Sequence, residues 1–194
     1  MQSRVLNALA CLAMMLPIAG QAADLGYSFI DLAIIPEAEI DSGDADADGD
    51  GFQLRGSLTV HQNYFALVEI SDLEFDDVDF TRWVIGGGGH WPINQTLDFV
   101  ARGGLMRYDV DAGRFGEDDD LGFFLGGRVR AQVLSNVEVE GGVDLTTAEV
   151  AGYEDEIMLV GEGRYHFSNQ FSVGGLLNLG DDSSQIGIYG RFNF

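Results

Sequence analysis

The chain has 194 residues, with 32 acids against 10 basic residues and a formal net charge of −22. Every basic residue is arginine, and such acidity argues against nucleic acid or an anionic lipid surface as a partner. The length suits one domain, and the single cysteine, Cys11, excludes a disulfide or thiolate metal site once the N-terminus is processed.

Residues 1–22 read as a cleavable signal peptide. Arg4 supplies a positive start, residues 5–18 are mostly apolar, and Gly20-Gln21-Ala22 offers small residues for cleavage. The apolar run is too short for a membrane helix, and no later segment is long and apolar enough to be one. Export is therefore expected, with a single domain over 23–194, and any membrane crossing must use strands.

From Asp24 onward apolar residues alternate in segments of about ten, the pattern of membrane strands. Ten are predicted. The first, near 25–35, sets Ile30, Leu32 and Ile34 against Asp31; Tyr27 and Phe29 fall out of phase, which suggests a bulge or rim position. The second alternates Phe52, Leu54, Leu58 and Val60 with Arg55. The third, 64–71, places Val68 and Ile70 opposite Glu69. The fourth sets Trp83, Ile85 and Trp91 against Arg82 and His90, and the fifth sets Leu97, Phe99 and Leu105 against Asp98 and Arg102. The sixth is the most regular, with Leu121, Phe123, Leu125, Val129 and Val133 against Arg128 and Arg130. The seventh opposes Val137, Val139, Val143 and Leu145 to Glu138, Glu140 and Asp144. The eighth opposes Ile157, Leu159 and Tyr165 to Glu162, Arg164 and His166, and the ninth opposes Phe171, Val173, Leu177 and Leu179 to Ser172 and Asn178. Pro36 and Pro92 are expected outside strands, because proline gives no ladder hydrogen bond.

The last strand runs to the final residue, with Ile186, Ile188, Phe192 and Phe194 on one face and Tyr189 and Arg191 on the other. An apolar aromatic end is unfavourable in water but belongs in the aromatic girdle of a closed transmembrane barrel. Connections before odd-numbered strands are short and amide-rich, whereas those after them are mostly long and acidic, notably 36–50 and 109–120. This matches short periplasmic turns and long extracellular loops.

The whole chain after the signal peptide resembles the small outer-membrane β-barrel proteins of Gram-negative bacteria, the OmpA-barrel and OmpX-like porin family. The resemblance is carried by the segment 82–91 with its Trp-Gly pattern, the following 96–108, and the C-terminal Phe-Asn-Phe. It implies an all-β, antiparallel up-and-down transmembrane barrel, here of ten strands, with eight as the alternative. It also implies an outer-membrane location, lipid and lipopolysaccharide as surroundings, and the barrel assembly machinery as a partner. Tyr189, Phe192 and Phe194 are similar to the sorting signal that this machinery reads.

Alternation does not say which face is inside, since a soluble ligand-binding barrel would alternate equally well. Charge does. The polar phase carries Arg55, Arg82, Arg102, Arg128, Arg130, Arg164 and Arg191 against Asp31, Glu69, Asp98, Glu138, Glu140, Asp144 and Glu162, a balanced set. A confined lumen must neutralise itself, because unpaired buried charge is costly. Planar guanidinium forks suit such a network better than lysine. Arg128 and Arg130 facing Glu138 and Glu140 are the clearest expected cross-strand pairs.

Two further chemistries are suggested by the residues. Asp44, Asp46 and Asp48, followed by Gly49, match the opening of a calcium loop, but its twelfth position is Arg55 where a bidentate glutamate is needed. Loose binding of Ca²⁺ or Mg²⁺ among the acidic loops is one expectation and a solvated loop the other; no further cofactor is implied. His61, His90 and His166 fall at the periplasmic ends of their strands, some 25 Å from the outer rim where barrel enzymes work, so no catalysis is expected. The sequence thus points to a monomeric barrel, structural or narrowly porin-like. The alternatives are a surface protein whose acidic loops bind divalent cations or an external partner, and a soluble exported barrel holding an apolar ligand.

Overall fold

The computed structural model describes residues 25–41, 46–75, 78–111, 116–147, 155–181 and 183–194. The signal segment 1–22, with Cys11, lies outside these residues, as does Asp44. Ten antiparallel strands are present among the described residues: β1 (Phe29–Asp41), β2 (Asp46–His61), β3 (Tyr64–Phe75), β4 (Val78–Asn94), β5 (Leu97–Asp111), β6 (Glu117–Leu134), β7 (Val137–Thr147), β8 (Glu156–His166), β9 (Phe171–Leu179) and β10 (Ser183–Asn193). Each pairs with its sequence neighbours. β1 pairs with β10 from Phe29↔Asn193 to Ile40↔Ser183, so the barrel closes and no edge is left open. Ten strands replace the eight-strand alternative.

The alternation resolves into an apolar outside and a polar inside. Ile30, Leu32 and Ile34 of β1 are exposed, and Ile85 and Leu125 are 68% and 61% accessible, whereas Asp31 and Glu138 are 0% and 2% accessible. A barrel dissolved in water would carry the reverse arrangement. A closed sheet with an apolar exterior is the strand solution to the bilayer, because every ladder hydrogen bond is made within the wall. Aromatics cluster on the exterior at the short-turn end: Trp91 contacts Tyr64 and Phe99, and Phe192 contacts Phe171 and Phe194. The terminal residue is tied down by a bond from Phe194 N to Ser28 O at 3.1 Å.

Three details differ from the sequence reading. Tyr27 and Phe29 mark no bulge; they lie in phase with Asp31, and Tyr27 is buried inside the barrel. The register shift in β1 occurs later, between Ile34 and Glu37 towards β10. Pro36 sits in that irregularity, within the strand rather than beyond it. Pro92 is likewise inside β4, but β3 has ended its pairing at Gly89, so the proline faces no partner on that side. Both prolines are accommodated where a ladder bond is already missing.

The acidic segments 36–50 and 109–120 are also less looped than expected. β7 to β10 have the 9–11 residues of ordinary membrane strands, but β2, β4 and β6 have 16, 17 and 18 and continue past the apolar band. The extensions persist because their inward residues form a core of their own. Ala38 and Phe75 pack in one cluster, with Tyr108 and Val110 in another and Phe80 against both. Their outward positions carry acids, including the cross-strand row Asp50↔Glu74↔Asp79.

Candidate functional site

The lumen is filled in three tiers. At the short-turn end, residues 25–28 turn inward as a floor. Tyr27 stacks on His90 at 4.0 Å and on Phe65 at 5.3 Å, and its hydroxyl donates to Asp98 at 2.9 Å across the barrel. Asp98 also lies 3.1 Å from His90 Nδ1. Arg130 covers the Tyr27 ring at 4.5 Å and donates to Gly26 O at 2.9 Å. Leu25 and Val100 complete this floor.

Above it lies the charged tier. Asp31 is fully buried and takes two guanidinium groups: Arg191 through paired bonds of 2.6 Å each, and Arg55 at 2.8 Å. Both arginines stand directly opposite Asp31 on the flanking strands. Arg55 also reaches Glu162 on β8, a strand four places away round the wall, so this pair crosses the lumen. Glu162 accepts from Tyr189 Oη at 2.9 Å and lies 3.3 Å from Arg164. Arg164 further contacts Glu138 at 2.9 Å and Glu140 at 3.1 Å. Asp144 receives Arg102 at 2.5 Å and Arg128 at 2.6 Å. Arg82 pairs with Glu69, which also accepts from Gln53 at 2.9 Å.

All fourteen charged residues of the polar phase therefore lie inside. The cross-strand pairing of β6 and β7 is diagonal, not direct. Arg130 stands opposite Glu140 in register but pairs with Glu138, and Arg128 reaches Glu140 at 3.3 Å. Long side chains bridge such diagonals readily. Inward glycines make room for these groups; a Cβ at Gly174 would sit 2.5 Å from the Tyr189 ring.

The third tier is apolar, with Val84, Met106 and Phe124 on one side and Ala33, Ile35 and Leu176 on the other. Cavities of about 40, 60 and 60 Å³ lie among these side chains. Each has room for a few waters but not for a metabolite-sized solute. Glu156 was missed by the sequence reading, which did not include it in the polar phase. It is buried at the mouth and accepts from Ser183 Oγ at 2.9 and 3.0 Å. Its parity with Glu162 and Arg164 was the available signal.

The other site candidates are dispersed. Tyr189 lies inside, in contact with Arg164 and Glu162, while Phe192 and Phe194 are on the exterior. Asp44 and the side chain of Asp46 are outside the described residues, and Asp48 is exposed on β2. His61 is exposed at the end of β2, and His166 lies 3.4 Å from Glu138.

A closed barrel with an apolar wall and a charged interior is the architecture of outer-membrane β-barrel proteins, and solved structures of that class share the fold. The beta domain of the Bordetella autotransporter BrkA matches with a TM-score of 0.57 at 10% identity, covering 88% of this chain and 100% of that one. An outer membrane channel from Pseudomonas putida F1 matches with a TM-score of 0.54 at 7% identity, covering 92% and 100%. No protein-family model and no curated protein matches the sequence.

Proposed function

We propose that the protein is a non-enzymatic, monomeric integral barrel of the bacterial outer membrane, with a structural role and a lumen closed at rest. It reaches the membrane through a cleaved signal peptide and the barrel assembly machinery, and lipid and lipopolysaccharide surround it there. The observation that carries this reading is the Arg55–Glu162 pair across the lumen, together with the Tyr27–Asp98 bond beneath it. These contacts lie among cavities of about 40 and 60 Å³. A porin-like path would require several of them to break together. Incorporated into planar bilayers, the folded protein is expected to give no channel steps in 1 M KCl. Regular, single-sized openings would overturn the closed reading and favour the porin-like one.

One observation favours a second reading, a surface that gathers divalent cations. Asp50, Glu74 and Asp79 stand directly opposite one another on the outward face of the β2–β4 extension, and all three are exposed. Like charges so placed repel unless counterions screen them.

A further inference from the structure

We infer that residues 25–27 form a strap that closes the short-turn end of the lumen and swings away as a unit about Ser28, opening that end while the strands stay paired. The first observation is how the segment is held. Ser28 is pinned on both sides: its Oγ accepts from Thr59 N at 3.1 Å, and its carbonyl accepts from Phe194 N at 3.1 Å. Phe29, the next residue, is the first of the wall, paired with Asn193 and Ser57. Before Ser28 no ladder bond is made among the described residues. The carbonyls of Gly26 and Tyr27 accept from side chains instead, from Arg130 at 2.9 Å and from Ser57 Oγ at 2.8 Å. A chain terminus stays in place only where such contacts tie it down.

The second observation is reach. β6, which carries Arg130, stands five places from β1 in either direction round the wall, so the strap and this side chain together span the lumen. The grip is concentrated in Tyr27. Its ring lies against Phe65 of β3, His90 of β4 and the Arg130 guanidinium, and its hydroxyl donates to Asp98 of β5. Leu25 adds apolar contact, while Gly26 between them is exposed. A segment fastened at so few points opens at a lower free energy than the fold as a whole. The third observation is what lies behind it. Val100 packs in one cluster with Leu25 and Tyr27 and is 3% accessible. Tyr27, Val100 and Arg130 also line a cavity of about 60 Å³. With the strap out, this cavity faces solvent at the short-turn end, while the Arg55–Glu162 pair above it stays closed. The barrel therefore has two closures that open separately, and the lower one opens first.

The test uses the folded barrel of residues 23–194 in detergent, where Val100→Cys is the sole thiol. A small methanethiosulfonate reagent is expected to label it slowly in the native protein. The rate should stay flat in urea below the unfolding transition, because lifting the strap exposes little surface. Tyr27→Phe keeps the ring and removes its bond to Asp98. In the Val100→Cys background it is expected to raise the rate about 10- to 100-fold, the equilibrium weight of a hydrogen bond to a charged group. A chain that begins at Ser28 supplies a readout without the thiol, and it should still give a compact, SDS-resistant band when unboiled. Labelling that climbs with urea in step with global unfolding, a rate indifferent to Tyr27→Phe, or loss of the compact band in the shortened chain would each overturn the strap. The strap goes beyond the closed reading. A silent barrel labelled only through global unfolding defeats the strap alone, whereas a conducting barrel whose thiol responds to Tyr27→Phe defeats the closed reading alone.

Discussion

Replacing Asp31 by alanine is expected to destabilise the folded barrel by about 3–5 kcal/mol, the cost of removing one partner from a buried ion pair. Asp31 has no solvent exposure and holds two guanidinium groups from opposite sides, Arg191 on β10 and Arg55 on β2. Arg55 keeps Glu162 after the substitution, but among the described residues Arg191 keeps ring contacts alone, at 3.5 Å over Phe29 and 5.6 Å over Tyr189. The loss also falls on the seam where first and last strands close the barrel, since Asp31 and Arg191 are partners in the β1–β10 register. A urea titration of the folded protein in detergent measures it, and Asp31→Asn should cost less because the amide still accepts a bond. A change below about 1 kcal/mol, the range of solvated pairs, would mean that water reaches these groups freely and the lumen is open.

Leu125→Arg is expected to cost about 2–4 kcal/mol in a lipid bilayer, the penalty for arginine near the midplane of a barrel wall. Leu125 is 61% accessible and lies on β6 between Gly103 of β5 and Leu145 of β7. On a water-exposed surface the same substitution would be nearly neutral. The cost in the bilayer is therefore a property of the surrounding medium and not of packing. Folding yield into lipid vesicles measures it, with Asp109→Arg above the apolar band as a control expected to change little. Equal yields for wild type and Leu125→Arg would place that face in water.

The phase of the strands was legible because period-two alternation is local. Leu121 to Val133 in β6 declares two faces without reference to any other strand, and the charge balance of the polar phase indicated which face is confined. What lay beyond the sequence was whatever depends on stagger and diameter. Arg130 opposite Glu140 could be anticipated, but its turn to Glu138 follows from the slant of side chains across a tilted pair. Arg55 and Glu162 are 107 residues apart and meet only because the barrel is narrow enough for a β2 side chain to reach β8. The floor was misread for a chemical reason: Tyr27 and Phe29 are aromatic, and in a membrane strand an aromatic is first assigned to the lipid side. The acidic extensions were taken for loops because acid runs are usually solvated coil. Here apolar partners such as Phe75 and Val110 are interleaved among the acids and keep the hairpins paired.

The orientation of the wall underlies every other conclusion, and the two tryptophans report on it directly. Trp83 and Trp91, the only tryptophans in the chain, are both exposed on the outer face of β4. Eight residues apart, they are separated by ~26 Å along the strand and by ~20 Å along the axis at the ~40° tilt of such barrels, close to the height of the apolar band. Fluorescence of the barrel reconstituted in bilayers with brominated acyl chains is the measurement to make. The expected result is strong quenching of both tryptophans by the brominated lipid and little by acrylamide in the water. Quenching by acrylamide without an effect of brominated lipid would contradict the account, since the apolar face would then not be in contact with the membrane.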